Sequence, residues 1–296
     1  MKFSMLRHWA ARRGSPSTAA LRRGEATHAE HAWDKSRAAG SRWAAAGACL
    51  GALLACVIYA PANLLAQAVA SASDRHVLLA DARGSIWSGS AVAVLTGGAG
   101  SRTAAALPGR LEWSVGLSGA TLELRARHAC CLNGTMALRV SPGFLGRAVT
   151  LMPATASIGQ WPSAWLAGLG TPWNTLQLSG TLRAASPGFT LEWVEGRWRA
   201  TGQVEVELLN ASSRVSTLDV LGSYHLRMVG DGGQSRLELS TQAGSALQLS
   251  GTGTWGPGGV RFRGEARTGE TDEAALGNLL NIIGQRQGAR SVISIG

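Results

Sequence analysis

The sequence lacks the residue patterns that most enzyme classes require. Six histidines are scattered along the chain, and none belongs to an H-E-x-x-H zinc motif. The chain contains neither a G-x-S-x-G nucleophile turn nor a Walker phosphate loop. The acids Glu205 and Glu207 are close together, but they alternate with Val204 and Val206, which is typical of a solvated strand face. We therefore predict a protein that is not an enzyme and has no catalytic residue.

Lysine is nearly absent, because Lys2 and Lys35 are the only lysines in the chain. Both lie in residues 1–42, which also hold much of the formal net charge of +10. Beyond this segment the basic residues are all arginines, and they alternate with apolar residues along strand-like runs. Nucleic-acid binding instead favours basic residues grouped on one face together with aromatic partners. We therefore predict no nucleic-acid partner.

Cysteine is also scarce, with four residues in the chain. Cys49 and Cys56 lie in an apolar run, whereas Cys130 and Cys131 are adjacent. There is no C-x-x-C pair and no histidine at a spacing typical of zinc sites, so we predict no metal site and no cofactor. Neighbouring side chains of a strand point to opposite faces, so a Cys130–Cys131 disulfide would need a distorted turn. An ordinary pair of small residues beside Asn133-Gly134 is the favoured alternative.

One long apolar run stands out near the N terminus. Residues 43–60 carry no charge, and the apolar character continues to residue 65. About 20 such residues span a bilayer core, and a basic cluster before the span places the N terminus in the cytoplasm. The alternative is a signal peptide cleaved after Ala70, although a signal core is shorter than this run. We predict a basic cytoplasmic tail attracted to membrane lipids, a membrane-spanning helix and a periplasmic domain, at residues 1–42, 43–65 and 71–296.

Short runs of alternating apolar and polar residues fill the predicted periplasmic domain. Such alternation predicts strands, and Asn133-Gly134 predicts a two-residue hairpin turn. We predict a mainly β fold, either an antiparallel meander, a curved sheet or a sandwich, with short helices near residues 162–169 and 272–283. Faint internal similarity also suggests two halves, at about 71–175 and 176–296. The strand-like runs occupy residues 111–117, 122–127, 136–140, 176–182, 189–193, 204–208, 224–228, 237–239, 247–249, 260–262 and 291–295.

Four stretches together resemble the type II secretion system protein N family; they are residues 84–91, 107–113, 165–180 and 276–295. The resemblance implies a single-pass accessory or scaffold protein of the bacterial inner membrane, without enzymatic activity. It would support export of folded proteins from the periplasm across the outer membrane. Its partners would be other inner-membrane and periplasmic components of that apparatus. The family-motif positions, to which we assign a structural or interface role, are Gly84, Trp87, Gly89, Pro172, Trp173, Asn174 and Gly180.

A second hypothesis is a periplasmic lipid-binding or lipid-bridging protein of the AsmA type. Such proteins also have an N-terminal anchor, glycine-rich short strands and a curved sheet with an apolar inner face. The alternating pattern is common to both hypotheses, so it does not separate them. The tryptophans predict core and cross-strand packing in the first place, and a tryptophan-lined ligand groove is the alternative.

Overall fold

The structure is a computed structural model that describes residues 43–142, 146–154, 157–256, 258–269, 273–288 and 290–296. It divides into two compact units, Met1–Tyr59 and Ala60–Gly296. In the first unit, residues 43–58 form a helix, α1. Within the described ranges, no helix has both the length and the apolar character needed to cross a membrane. The span over 43–65 therefore stays a prediction, and the predicted tail lies outside the described residues.

The second unit consists of strands with a few short helices. The helices are α2 (Ala62–Ala72), a 3-10 helix (Ser163–Leu169), α3 (Trp173–Leu176) and α4 (Glu273–Ile283). The strands are β1 (Val77–Gly84), β2 (Ser88–Thr96), β3 (Ala104–Ala106), β4 (Leu111–Ser118), β5 (Thr121–His128), β6 (Thr135–Pro142), β7 (Gly146–Leu151), β8 (Gly159–Pro162), β9 (Leu178–Val194), β10 (Arg197–Ser213), β11 (Gly222–Asp231), β12 (Ser235–Thr241), β13 (Leu247–Gly256), β14 (Gly259–Thr268), β15 (Gln285–Gln287) and β16 (Arg290–Ile295).

All these strands belong to one 16-stranded sheet. Its order is β1-β2-β4-β5-β6-β7-β9-β10-β11-β12-β13-β14-β16-β15, with β3 attached to β2 and β8 attached to β9. Every pairing between these strands is antiparallel, and most strands pair with their neighbours in the chain. The predicted mainly β fold is thus confirmed as a meander in one sheet. Each strand-like run found by alternation coincides with or overlaps one of these strands.

The longest strands, β9 and β10, form the central hairpin and have 17 residues each. One end of β9 pairs with β7 and the other end pairs with β8. Bulges interrupt the β9–β10 register, and Gly180 and Gly202 take positive φ values of +130° and +105° beside them. A bulge adds a residue to one strand and re-aims the chain. The hairpin therefore changes partners along its length without leaving the sheet.

The pairing register places apolar side chains on one face of the sheet, which we call the apolar face. Directly opposed residues in antiparallel strands point to the same side. The apolar pairs extend across the sheet: Val115 with Leu124, Leu124 with Leu138, Val149 with Leu191, Val206 with Leu226, and Leu226 with Leu239. The other face carries charged ladders such as Glu205, Arg227 and Glu238. The residues that alternate in the sequence therefore divide between an apolar face and a solvated face of the sheet.

Helices cover the apolar face in three buried clusters. The largest lies under α4, where Leu276, Leu279 and Leu280 are 0%, 2% and 0% exposed. Their i, i+3, i+4 spacing puts them on one helix face. The second joins Ala62 of α2 to Ala91 and Trp113, and the third joins Ala93, Leu107 and Cys131 to Trp161 and Trp165. The predicted helices near 162–169 and 272–283 are confirmed as the 3-10 helix and α4.

Candidate functional site

The first motif forms the tight hairpin between β1 and β2. Gly84 and Gly89 are cross-strand partners, and Gly84 has φ +91°. A Cβ on Gly89 would lie 2.5 Å from the Arg83 carbonyl oxygen and 2.5 Å from Cζ2 of Trp113. The indole Nε1 of Trp113 donates to the Ser85 carbonyl at 3.2 Å. Both glycines therefore shape a turn on which the Trp113 ring packs.

Trp87 lies in this turn, which the Ser85 hydroxyl holds. The Ser85 Oγ accepts the backbone N–H groups of Trp87 and Ser88, each at 3.2 Å. The Trp87 carbonyl accepts the N–H of Val115 at 2.7 Å and so connects the turn to β4. The indole of Trp87 is half-buried. Its position supports a structural role for this motif residue.

The second motif that carries family positions, the stretch at residues 165–180, builds the connection into β9. Pro172 precedes α3, and the backbone N–H of Asn174 donates to the Gly170 carbonyl at 3.0 Å. Trp173 packs against the cluster beneath α4. At Gly180, a Cβ would lie 2.7 Å from the Leu209 carbonyl oxygen, so a close strand approach requires glycine there. The two motifs occupy separate turns, and each of them acts on local packing.

Arg110 cross-links the edge of the sheet near the first motif. Its guanidinium donates to the Asp81 carboxylate at 2.8 Å, the Asp81 carbonyl at 2.7 Å and the Ser90 carbonyl at 3.0 Å. Asp81 has a positive φ of 49° inside the β1 bulge. Hydrogen bonds from Arg110, and then from Arg83, hold the pKa of the Asp81 carboxyl below its usual value. The arginine thus fixes an irregular segment of β1 to β2.

Substitution of Arg110 by glutamine should raise the pKa of Asp81 toward its ordinary value, with Arg83 retaining part of the shift. A carboxylate with a lowered native pKa stabilises the fold above its unfolded pKa, and this stabilisation is lost as pH falls through the native pKa. The stability difference between wild type and Arg110→Gln should therefore shrink in acid. Carboxyl-carbon NMR titration measures the pKa, and Arg102→Gln, an exposed arginine, is the control. An unchanged Asp81 titration in Arg110→Gln would contradict the assignment.

A shallow cavity of about 570 Å³ opens on the polar side of these strands. Arg83, Arg125 and Arg127 line it together with Glu112. The arginines already have partners, since Arg83 pairs with Asp81 at 2.8 Å, Arg125 with Glu123 at 2.7 Å, and Arg127 with the Thr135 hydroxyl at 2.8 Å. Exposed pairs of this kind contribute little stability. The cavity is therefore a solvated, charged part of the polar face.

The apolar face remains partly uncovered, at the hairpin ends of several strands and, at Leu226, in the middle of β11. Large apolar side chains there keep between 36% and 76% of their surface exposed. A contiguous exposed apolar patch on a folded protein commonly marks a contact site for protein or lipid. We call this set the open band; its residues are Leu117, Leu122, Trp193, Trp198, Leu226, Val260 and Ile295.

Two tryptophans stand in the middle of the open band. Trp193 and Trp198 are direct cross-strand partners at the β9–β10 turn. Their rings pack edge to face with centroids 4.8 Å apart, and they are 38% and 45% exposed. Tryptophan is enriched among the residues that dominate binding at protein interfaces. The pair satisfies the predicted cross-strand packing and also leaves a large apolar surface for a ligand or partner.

The Phe262 ring, beside the open band, packs directly on the backbone of three glycines, Gly251, Gly253 and Gly264. A Cβ on Gly251 would lie 2.4 Å from Cζ of this ring, and Cβ atoms on Gly253 and Gly264 would lie 3.0 and 2.9 Å from it. The ring therefore lies flat over three positions that need no side chain. Residues 251–256 also have G-x-G-x-x-G spacing, but they lie within β13 and precede no helix, so the dinucleotide-binding context is missing.

The turn between β5 and β6 differs from its prediction. Asn133-Gly134 does not form a two-residue hairpin, because β5 ends at His128 and β6 begins at Thr135. The intervening segment contains a Cys130–Cys131 disulfide. The favoured expectation of an ordinary cysteine pair was therefore wrong, since the distorted turn that such a bond needs is present. Beside the pair lies His128, which is 4% exposed and whose pKa is lowered by desolvation.

Comparison with known proteins identifies one family. The family model described as Type II secretion system (T2SS), protein N, matches residues 75–293. The match covers both motifs, all of the open band except Ile295, and the strand pairs that hold them. Neither a curated protein nor a solved structure matches the chain.

Proposed function

Because the chain belongs to the type II secretion system protein N family, we propose that it is an accessory component that supports assembly of that apparatus at the inner membrane. The anchor in this proposal is the uncharged segment 43–65, and the basic residues before it favour a cytoplasmic N terminus. The sheet would then face the periplasm. Its task would be to contact other components of the apparatus, so that folded proteins are exported across the outer membrane.

The open band is the observation that carries this proposal. Trp198 and Leu226 lie on the apolar face and are 45% and 37% exposed, and a set of large exposed apolar side chains on one face commonly marks a contact surface. Burying apolar surface yields about 25 cal/mol per Å², so covering several such side chains gives several kcal/mol toward binding. The family motifs lie in turns that shape the sheet. We infer that the motifs maintain the scaffold and that the open band makes the contact.

Site-specific photocrosslinking tests the proposal at matched positions. A photoreactive residue at Leu226, in the open band, should crosslink to another component of the secretion apparatus in living cells. The same residue at Thr252, which is exposed on the polar face, should give at least about tenfold less product. Deletion of the gene should also lower exoprotein secretion. The proposal fails if secretion is unchanged after deletion and if Leu226 captures no component of the apparatus.

Lipid handling is the second candidate function, and the same surface favours it. The apolar face extends through successive strands and leaves Trp193, Trp198 and Leu226 exposed; Leu226 pairs with Val206, eight residues along β10 from Trp198. An acyl chain requires only such a continuous apolar strip. A phospholipid with a photoreactive acyl chain should label the Leu226 region if this function is correct. Lipid labelling without a protein crosslink at Leu226 would favour lipid handling over the scaffold role.

A further inference from the structure

The turn between β5 and β6 brings together three donor groups that suit a thiophilic metal ion. A ring nitrogen of His128 and the Sγ atoms of Cys130 and Cys131 all lie within 4.8 Å of one another. We propose that the reduced turn binds one divalent cation of the Zn(II) class through these three residues. The Cys130–Cys131 disulfide is the oxidised form of the same site, and it cannot bind the cation because neither sulfur is a thiolate.

The separation of the donor atoms is close to what such a cation needs. Zn–S and Zn–N bonds of about 2.3 and 2.0 Å place tetrahedral ligand atoms roughly 3.4–3.8 Å apart. The two sulfurs are bonded to each other in the oxidised form and must move apart to reach this separation once they are reduced, while 4.8 Å, the upper limit for the three donor atoms, exceeds it by about 1 Å. Rotation of the three side chains about their Cα–Cβ bonds supplies both changes. Cys130 is exposed while Cys131 is buried, so the site is reached from the Cys130 side. Three protein ligands leave one coordination position for water.

The backbone of the turn is held independently of the sulfur–sulfur bond. The Gln160 N–H donates to the Cys131 carbonyl at 2.9 Å, and the Asn133 N–H donates to the Ile158 carbonyl at 2.9 Å. His128 is the last residue of β5 and is paired with Leu111 of β4. Opening the disulfide therefore leaves the three ligand residues in place. A site held by its surroundings is a better metal site than a mobile loop.

His128 supplies the second, independent sign of a ligand. Its side chain is buried, its Nδ1 accepts the Cys130 N–H at 3.4 Å, and its Nε2 has no hydrogen-bond partner among the residues that the structure describes. Buried polar atoms usually have a partner, and each exception requires an explanation. Gly109 leaves room for the ring, because a Cβ there would lie 3.3 Å from Cε1 of His128. The imidazole is thus held next to the two sulfurs in a pocket shaped for it.

Conversion between the two forms is an ordinary thiol–disulfide exchange. A dithiol reductant transfers two electrons and two protons to the Cys130–Cys131 bond, so that both sulfurs become thiols and the reductant closes into its own disulfide. The cation then binds the two sulfurs and displaces their protons to water, while the neutral imidazole nitrogen donates its lone pair. In the return step the two thiolates release the cation and pass two electrons to a disulfide oxidant, which takes two protons from water and becomes a dithiol while the Cys130–Cys131 bond forms again.

Cobalt(II) titration of the full chain tests the proposal. The variant Cys49→Ala/Cys56→Ala removes the other two cysteines, and an anaerobic phosphine reduces the remaining pair. We expect one equivalent of Co(II) to produce a thiolate-to-cobalt absorption band, which Zn(II) then abolishes. His128→Asn should keep this band but weaken binding by about tenfold or more. Cys131→Ser should lose most of the band, and the oxidised protein should bind no cobalt.

His225→Asn is the matched control, because this histidine lies on the polar face near Glu205 and outside the turn. It should bind Co(II) like the parent. The proposal is overturned if the reduced parent shows no stoichiometric band, or if His128→Asn binds as tightly as the parent while its circular dichroism shows the native fold. If His128→Asn does not fold, a second measurement tests the site in the parent: bound Zn(II) should protect the Cys130 and Cys131 thiols from an alkylating reagent. The absence of this protection overturns the proposal.

Discussion

Replacing Leu280 by alanine should lower the free energy of unfolding by about 3 kcal/mol. Leu280 is 0% exposed in α4, where it packs with Leu276 and Leu279 over the end of the sheet. Removing a buried leucine side chain loses its transfer free energy and leaves a cavity, at a cost of about 2–5 kcal/mol in well-packed cores. The neighbouring strands β14 and β16 are hydrogen-bonded and cannot collapse into the space. The loss should therefore lie near the middle of that range.

Ile282→Ala is the control in the same helix, because Ile282 is 36% exposed. Both variants place alanine in the same helix, so the difference between their losses reports burial together with a few tenths of a kcal/mol of helix propensity, which favours Ile282→Ala. Urea unfolding of the full chain in detergent, followed by tryptophan fluorescence, measures both. We expect the Ile282 variant to lose less than about 1 kcal/mol. Equal losses in the two variants would mean that α4 does not pack on the sheet through Leu280.

Gly89→Ala should cost about 3 kcal/mol although it adds only one methyl group. The new Cβ would lie 2.5 Å from the Arg83 carbonyl oxygen and 2.5 Å from the Trp113 ring. The first contact is with backbone in a tight hairpin, and the second is with a ring 5% exposed whose Nε1 is bound to the Ser85 carbonyl. Neither neighbour has a free direction in which to move. Overpacking of a closed site costs about 1–3 kcal/mol or more.

Gly116→Ala, in the middle of β4, separates this clash from the general effect of glycine replacement. A Cβ at Gly116 would have no atom within 4 Å, and its φ is not positive. Alanine is no worse than glycine in a strand, so this variant should be neutral or slightly more stable. Both variants are measured by urea unfolding with tryptophan fluorescence. If Gly89→Ala also proves neutral, the Trp113 ring does not occupy the place assigned to it.

Sequence alternation predicted the strands where one face is solvated. Leu111–Ser118 and Arg197–Ser213 show it clearly, because their partners continue the same apolar face. It did not predict β2, where residues 91–95 form a continuous apolar run and most of the strand is buried or half-buried on both faces. An alternation of apolar and polar residues appears in the sequence of a strand only when one face of that strand is exposed to water.

The length of the central strands and the pairing order of the sheet could not be predicted from the sequence either. Gly180, Gly188 and Gly202 look like breaks between short runs, yet they lie at bulges inside two 17-residue strands. A glycine that ends a strand and a glycine that admits a bulge have the same local signature. Only the neighbouring strands decide between these roles.

For the candidate site, the family motifs were the easier part to locate in the sequence. Their glycines and tryptophans form local turns, so spacing along the chain identifies them. The open band combines Leu117, Trp198 and Ile295 from distant strands, and nothing in the local pattern says which end of the apolar face stays uncovered. His128 was missed as a neighbour of the cysteine pair because it belongs to a strand end, whereas metal-site spacings describe loops of known families.

The strand order has a consequence for how the chain folds. Since almost every strand pairs with its sequence neighbour, native contacts close short loops, and the entropy lost per contact is small. Successive hairpins can therefore add to a growing sheet as each segment becomes available, in the way that repeat arrays propagate. Local opening should begin at the two outer edges, at β1 and at β15. The β9–β10 hairpin, whose two 17-residue strands pair with β7 and β8 on one side and with β11 on the other, should open last and holds the two flanks in one cooperative unit.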